Sequence, residues 1–261
     1  MPLTSIDDAA WASPWRHRRV GEKALLSGGL VLTAAAAPAW PGTLLVSAVA
    51  LGALVGPARI RPATLARVMA APLLFVTVGA ASVAVRLGAA PVAADPGWQW
   101  GPVGIGPDGL RQAVALLGHG VAGALAVMVL AATTPMVDLV TWGRRWRIPD
   151  ALLEIASLTY RLVWVLLATA TAIRRAQTAR LGDAAPLSRR LRATADAMGS
   201  VLVRAWHQSL RLEQGLAGRG YESSLTTLAP RRAASWPFVV VSTLCLVLIW
   251  LLVAWSGAHH G

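Results

Sequence analysis

Two sets of polar residues in this sequence could do chemistry: a turn rich in threonine and proline, and two arginines beside glycines. The turn follows a long apolar stretch and contains Thr133, Thr134, Pro135 and Asp138. Pro135 cannot continue the hydrogen-bond ladder of a helix, and Thr134 and Asp138 can bond the backbone groups that the turn leaves free. The pattern therefore predicts a structural turn. The alternative is a polar site at which a membrane-embedded enzyme could work.

The two arginines, Arg180 and Arg219, are each predicted to end a helix beside glycine. Glycine lets the chain turn sharply after a helix and lets a partner approach closely. An arginine in that place offers a planar fork of donors that suits carboxylates. The alternative for each is an exposed charge that complements the helix dipole and faces water. The flanking residues are Ala179 and Gly182 around Arg180, and Gly218 and Gly220 around Arg219.

One histidine, His119, lies within an apolar stretch. Ionisable residues at membrane depth are often functional, so His119 is the second candidate centre for a membrane-embedded enzyme. Its neighbours Gly118 and Gly120, and the lack of a second ligand one turn away, favour a packed histidine instead. The sequence has no G-x-x-x-x-G-K-[ST] motif, which indicates that it holds no nucleotide by a P-loop. We expect no catalytic residue, no metal site and no cofactor of its own.

Composition places the chain among helical membrane proteins. It has 261 residues, of which 56% are hydrophobic and 14% charged, with a mean hydropathy of +0.56. Soluble proteins average about 25% charged residues. The 24 basic residues outnumber the 12 acidic ones, which invites a reading as a binder of nucleic acid or anionic lipid. Arginines beside apolar stretches are better explained by the positive-inside rule.

Five apolar stretches predict an all-α, polytopic membrane protein with about five spans. The predicted spans are Ala24–Ala37, Gly42–Gly56, Met69–Leu87, Leu110–Thr133 and Trp236–Trp255. A sixth stretch, Ala151–Ile173, is apolar but contains Glu154, Tyr160 and Arg161.

The distribution of arginine assigns the sides of the membrane. The connection Gly88–Asp108 has no basic residue and carries Trp98 and Trp100 as interfacial anchors, whereas Thr133–Arg232 has 15 arginines against 7 acidic residues. The rule therefore predicts a cytoplasmic N-terminus, an external Gly88–Asp108 and a cytoplasmic Thr133–Arg232. We expect Ala151–Ile173 to stay at the cytoplasmic face, because crossing would carry the arginines after it outside.

Three cytoplasmic helices are predicted between the fourth and last spans. The first runs from Pro149 or Asp150 to about Arg180, the second begins at Pro186, and the third runs from about Ser200 to Gly218. The predicted organisation is a basic N-terminal segment over 1–23, four transmembrane helices over 24–133, coupling helices over 134–232, and a last transmembrane helix with an external tail over 233–261.

These motifs, in this order, resemble the transmembrane T component of energy-coupling factor (ECF) transporters, in its CbiQ branch of cobalt uptake systems. The resemblance covers nearly the whole chain, although Leu181 precedes the first glycine and Gly218 stands where alanine is usual. The motifs that carry it are Trp15–Lys23, Thr133–Leu139, Arg144-Arg145, Ile148-Pro149, Tyr160-Arg161 and the two segments around Arg180 and Arg219.

The resemblance implies a scaffold without enzymatic activity in the cytoplasmic membrane of a bacterium or archaeon. Its implied partners are two cytoplasmic CbiO-type ATPases, which bind the ATP, a CbiM-type substrate-binding membrane subunit, a small CbiN-type accessory subunit and the lipid bilayer. Nucleic acid is not an expected partner. In such proteins the two motif arginines lie at the ends of coupling helices and each engages an ATPase. The implied solute is cobalt, with nickel or a vitamin as alternatives.

Overall fold

The computed structural model describes residues 2–87, 98–100, 103–180, 186–220 and 232–260, and most of them are helical. Short 3-10 turns occur at Pro14–His17 and Arg144–Trp146. The helices are α1 Pro2–Ala12, α2 Val20–Ala36, α3 Ala39–Val55, α4 Pro62–Ala84, α5 Pro107–Ala131, α6 Met136–Gly143, α7 Asp150–Ala179, α8 Leu187–Ala217 and α9 Trp236–His260. The polytopic helical fold predicted from the sequence is confirmed.

The chain divides into two units. Unit 1 comprises Met1–Leu139 and Pro230–Gly261, and unit 2 comprises Val140–Ala229. Unit 2 is thus an insertion between two parts of unit 1, and the chain enters it within α6.

Unit 1 is built around α5, which packs against α2, α3 and α4, while α9 packs against α2 and α3. The core shared by these helices is apolar, and several of its members are completely buried. The completely buried members include Leu30, Val46, Leu54, Ala126 and Val129, and α9 contributes the buried Ile249 and Val253. The last helix in the sequence therefore completes the core begun by the early ones.

Glycines let the helices of unit 1 approach closely. A Cβ atom added at Gly118 would lie 2.8 Å from Thr43 Oγ1, and one added at Gly120 would lie 2.6 Å from Val76 Cγ1. Small residues at such crossings are characteristic of membrane helices, where close van der Waals packing drives association. The two contacts hold α5 against α3 and α4 on either side of His119.

Among the described residues, four helices are long and apolar enough to cross a membrane: α4, α5, α7 and α9 over Trp236–Ser256. Helix α3 is apolar but has only 17 residues. Helix α2 is equally short and carries Glu22 in its first turn, and 17 residues span only about 25 Å. The number of five spans remains a prediction, as does the placement of Ala151–Ile173 at the cytoplasmic face, since α7 meets the same criteria of length and composition.

A small antiparallel sheet in unit 1 corrects the predicted third span. Its strands are β1 Val85–Leu87, β2 Trp98–Trp100 and β3 Val103–Ile105, in the order β1-β3-β2. The predicted span continued to Leu87, but α4 ends at Ala84 because the next three residues pair with β3, with Val85 opposite Ile105. The rest of the connection, 88–97 and 101–102, lies outside the described residues.

In unit 2, α7 packs against α8. The predicted limits of the first helix of this region are confirmed, because α7 begins at Asp150 and has Arg180 as its C-cap. The prediction of separate second and third helices is wrong, since Leu187–Ala217 is one helix of 31 residues. Gly199 lies inside it, and a single glycine weakens a helix by only about 1 kcal/mol relative to alanine without ending it.

Candidate functional site

The structure places the two predicted sets of polar residues in different units. The turn Thr133–Asp138 lies at the end of α5 in unit 1, and the two arginines lie at the helix ends of unit 2. Each set has its own surroundings.

The turn is buried where it leaves α5. Thr133 is fully buried, Thr134 is 2% exposed, and Pro135 is among the fully buried side chains. Thr133 Oγ1 donates to the carbonyl of Val129 at 2.6 Å, one turn back in the helix. The prediction that Thr134 bonds a freed backbone group is not met, because its hydroxyl has no hydrogen-bond partner within the described ranges. Thr133 performs that role instead.

Lys23 fixes the same turn from the opposite side. Its side chain is fully buried, and its ammonium Nζ donates to the carbonyl oxygen of Thr133 at 2.9 Å. A carbonyl at the end of a helix lacks a partner within the helix, and the negative end of the helix dipole favours a cation there. The first turn of α2 thereby caps the end of α5.

Asp138 forms an ion pair with a residue far along the chain. Arg232 Nη2 lies 2.8 Å from Asp138 Oδ2, across 94 positions in sequence. The two side chains are only 14% and 19% exposed, so the pair is largely shielded from water. The sequence pattern predicted a local role in the turn for Asp138, and it predicted no individual role for Arg232.

The N-terminal arginines secure the segment around Arg232. Arg19 Nε donates to the carbonyl of Arg232 at 2.8 Å, and Arg18 Nη1 donates to Ser235 Oγ at 2.6 Å. The Ser235 amide donates to Glu22 Oε1 at 2.8 Å. We call this network the junction; its residues are Arg18, Arg19, Glu22, Lys23, Thr133, Asp138, Arg232 and Ser235. It lies entirely within unit 1.

The helix ends of unit 2 contrast with the junction. Arg180 and Arg219 are both exposed, and in the part of the chain that the structure describes neither guanidinium takes part in an ion pair. Ala179 is the last residue of α7, and Gly218 is the C-cap of α8. Gly220 has a φ of +71°, a conformation that glycine adopts without strain. The second predicted turn is therefore confirmed, whereas Gly182 lies outside the described residues.

Contacts between α7 and α8 fix the end of α7. Gln177 Nε2 donates to the carbonyl of Ala193 at 2.9 Å, three residues before Arg180. The two helices enclose a mainly apolar groove of about 810 Å³, whose polar lining residues are Arg174, Gln177, Arg190 and Thr194. The surroundings of Arg180 are thus held by backbone and amide contacts, and its guanidinium remains exposed.

Two further motif residues lie in the body of α7. The Tyr160 ring packs edge-on against Trp164, with 5.9 Å between the ring centroids, whereas Arg161 is exposed. Both are more than ten residues from the end of the helix, so they are not part of the tip at Arg180.

His119 is held by backbone on both sides. Nδ1 lies 2.8 Å from the carbonyl oxygen of Ala115, and Nε2 lies 3.2 Å from that of Ala37. Ala37 is the C-cap of α2, so the histidine joins α5 to the break between α2 and α3. No group of three or more His, Cys, Asp or Glu residues able to hold a metal occurs among the described residues. The geometry favours the packed histidine over a catalytic one.

Sequence reasoning missed Lys23, Arg232 and the N-terminal arginines as individual residues. Lys23 is the only lysine in a chain with 23 arginines, and it directly precedes an apolar stretch. Its uniqueness and its place before an apolar stretch were therefore the signals that could have singled out Lys23. No comparable signal points to Arg232, because its partner lies 94 positions away.

Comparison with known proteins gives concordant results. The family model described as CbiQ, cobalt transport protein, matches residues 12–229. The cobalt transport protein CbiQ of Rhodobacter capsulatus is 39% identical over 237 residues, covering 90% of this chain and 91% of that protein. CbiQ of Salmonella typhimurium is 30% identical, covering 69% of this chain and 80% of that protein. A putative fused cobalt transport protein CbiMQ of Methanocorpusculum labreanum is 27% identical, covering 68% of this chain and 30% of that protein.

Proposed function

The chain belongs to the CbiQ family of cobalt transport proteins, and from that premise we propose that it couples ATP hydrolysis to uptake. In this proposal it is a non-catalytic membrane scaffold that joins two cytoplasmic CbiO-type ATPases to a substrate-binding membrane subunit. The observation that carries the proposal is the pair of exposed arginines, Arg180 and Arg219, at two separate helix ends. Two tips with one arginine each suit two ATPase subunits better than one continuous basic patch would.

The chemistry of each contact follows from the exposed guanidinium. An arginine forms charge-assisted, often bidentate hydrogen bonds with carboxylates, so each tip would dock against acidic residues of one ATPase. Glycines beside the arginines leave the approach to the backbone open. Movement of the ATPases on binding and hydrolysing ATP would then displace α7 and α8.

The substrate-binding partner in this proposal is a CbiM-type subunit, with a CbiN-type accessory subunit and cobalt as the solute. The relative from Methanocorpusculum labreanum supports that pairing, since its name describes a fusion of CbiM and CbiQ. The chain itself would carry no solute specificity, and a partner for nickel or a vitamin would change the solute without changing the tips.

The test uses membrane vesicles that contain the complete complex. Changing Arg180 and Arg219 together to alanine should abolish ATP-dependent cobalt uptake and weaken co-purification of the ATPases, while the ATPases still bind nucleotide. Removing one partner from a desolvated charge pair costs about 2–5 kcal/mol. Arg190→Ala and Arg204→Ala are the matched controls, because both residues are exposed on α8 and neither lies at the C-terminal end of α7 or α8. Normal assembly and uptake by the double variant would contradict the proposal.

The proposed orientation places the N-terminus in the cytoplasm of a bacterium or archaeon. Thr133–Arg232 would lie inside and Gly88–Asp108 outside, as the arginine distribution requires. Cysteines introduced at positions 98 and 175 test it in intact cells with a membrane-impermeant thiol reagent, in a Cys245→Ser background. Position 98 should react and position 175 should not. Strong labelling at 175 would show that α7 crosses the membrane.

A further inference from the structure

We infer that the Asp138–Arg232 ion pair is a clasp between the two segments of unit 1 that flank unit 2 in the sequence, and that it transmits movement of unit 2 to the membrane helices. The inference rests on the proposed coupling function. Asp138 lies two residues before unit 2 begins at Val140, and Arg232 lies three residues after it ends at Ala229. One ion pair therefore joins the two points at which the chain leaves and re-enters unit 1.

Both of these chain segments are bound to the same short stretch, Arg18–Lys23. On the entry side, Lys23 binds the carbonyl of Thr133 at 2.9 Å. On the exit side, Arg19 binds the carbonyl of Arg232 at 2.8 Å, and Arg232 Nη1 is directed back to the carbonyl of Arg18 at 3.4 Å. The start of α2 is thus a common anchor for both ends of the insertion.

Aromatic contacts attach the anchor to α9. The Arg18 guanidinium lies 4.7 Å from the ring centroid of Phe238, and the Trp15 ring packs edge-on against the same phenylalanine at 4.9 Å. Trp15 is 5% exposed. A displacement of Arg232 would therefore act on the beginning of the last membrane helix as well as on α2.

Helices α5 and α9 already contribute to one apolar core, to which α5 adds Val129 and α9 adds Ile249 and Val253. A shielded ion pair contributes little net stability compared with apolar packing of the same volume. Holding α5 near α9 therefore does not by itself require the clasp. The clasp instead fixes the distance between the segments around Asp138 and Arg232. Without it, a displacement of α7 or α8 would move these connecting segments and would not reach the membrane helices.

The transport test uses the near-isosteric variants Asp138→Asn and Arg232→Gln, separately and together, in vesicles with the complete complex. Each single variant should lower cobalt uptake per ATP hydrolysed by on the order of tenfold, within the range of coupling between distant sites. Co-purification of the ATPases should stay unchanged because the tips are intact. The double variant should be no worse than the worse single variant, since both changes remove one interaction. Arg16→Gln is the matched control, because Arg16 stacks on Trp11 outside the junction.

The second readout does not depend on transport. Spin labels at exposed positions of α2 and α8, Leu32→Cys and Asp196→Cys, report the distance between the units in lipid nanodiscs, in a Cys245→Ser background. Arg232→Gln should broaden that distance distribution, and Arg16→Gln should leave it unchanged.

Normal uptake by both single variants, losses that multiply in the double variant, or an unchanged distance distribution would each overturn the clasp. If Asp138→Asn and Arg232→Gln fail to fold, Arg19→Gln replaces them. This variant removes the hydrogen bond to the carbonyl of Arg232 and leaves neither Asp138 nor Arg232 as an unpaired shielded charge. Normal uptake by folded Arg19→Gln would then overturn it. Failure of the proposed coupling function is recognised separately, because the variant with both Arg180 and Arg219 changed to alanine would then assemble and take up cobalt normally.

Discussion

Arginine serves two different purposes in the two units of this protein. At the junction of unit 1, Arg232 is 14% exposed and pairs with Asp138, and Arg18 and Arg19 bind the segment beside it. At the helix ends of unit 2, Arg180 and Arg219 are exposed. A count of positive charge treats all five alike, since each fits the positive-inside rule. Only their surroundings distinguish them, because the first three bind other segments of unit 1 and the last two are exposed at helix ends.

The largest effect on folding is expected for Asp138→Ala. The change leaves Arg232 largely shielded without its carboxylate, and breaking a buried pair on one side costs about 3–5 kcal/mol. The yield of monodisperse protein and its thermal midpoint in detergent should both fall. Asp196→Ala is the control, because Asp196 is exposed on α8. An unchanged yield and an unchanged thermal midpoint for Asp138→Ala would contradict the structural interpretation of the turn.

A somewhat smaller effect is expected for Gly120→Val in unit 1. Even a Cβ atom at this position would lie 2.6 Å from Val76, and overpacking a close helix crossing costs about 1–3 kcal/mol. The thermal midpoint of the purified chain is the measurement. Gly123→Ala on the same helix provides the comparison, because a Cβ atom there meets nothing within 4 Å. Equal midpoints for the two variants would show that α5 and α4 are less closely packed than described.

An effect of the opposite sign is expected for Gly199→Ala in unit 2. Gly199 lies inside α8 with nothing within 4 Å of an added Cβ atom, and alanine in a helix interior is favoured by roughly 0.5–1 kcal/mol. Helix content and thermal midpoint should rise slightly.

Gly220→Ala should instead destabilise the tip, because Gly220 has a φ of +71° and a Cβ atom is unfavourable in that region. A gain in stability from Gly220→Ala would remove the conformational reason for glycine at the tip.

The smallest effect on folding is expected for Arg219→Ala. An exposed side chain without an internal ion pair among the described residues should change stability by no more than about 0.5 kcal/mol. The thermal midpoint of the chain alone should therefore match that of the parent, while binding of the ATPases falls. A clear drop in the midpoint would mean that Arg219 supports unit 2 itself, and the contrast between the two sets of arginines would disappear.

Periodicity and end signals predicted the local part of this structure well. Asp150 and Arg180 were identified as the limits of α7, and the glycines beside Arg219 as the end of α8, because caps and breakers act within a few residues. Local signals also misled, because the third helix predicted from about Ser200 is part of α8. The single glycine before it, Gly199, weakens a helix by only about 1 kcal/mol relative to alanine and does not end it.

The junction could not have been predicted in the same way. Its ion pair joins residues 94 positions apart, and its remaining bonds connect side chains to backbone carbonyls, which every residue possesses. The sequence showed that Asp138 follows a turn and that Arg232 is basic, and nothing in the local pattern relates the two. The same limit explains why the contact between His119 and the end of α2 was not predicted.

The contribution of α9 to the core has a consequence for biosynthesis. Because Ile249, Val253 and the Arg232 segment complete unit 1, the helices made first must wait in the bilayer while more than 90 further residues are translated. During that interval Asp138 lacks its partner Arg232, and an incompletely packed chain of this kind is expected to be a substrate for membrane proteases and insertion chaperones. A chain truncated after residue 229 should therefore be degraded much faster than the full chain in a pulse-chase experiment, and comparable lifetimes would show that the early helices assemble without it.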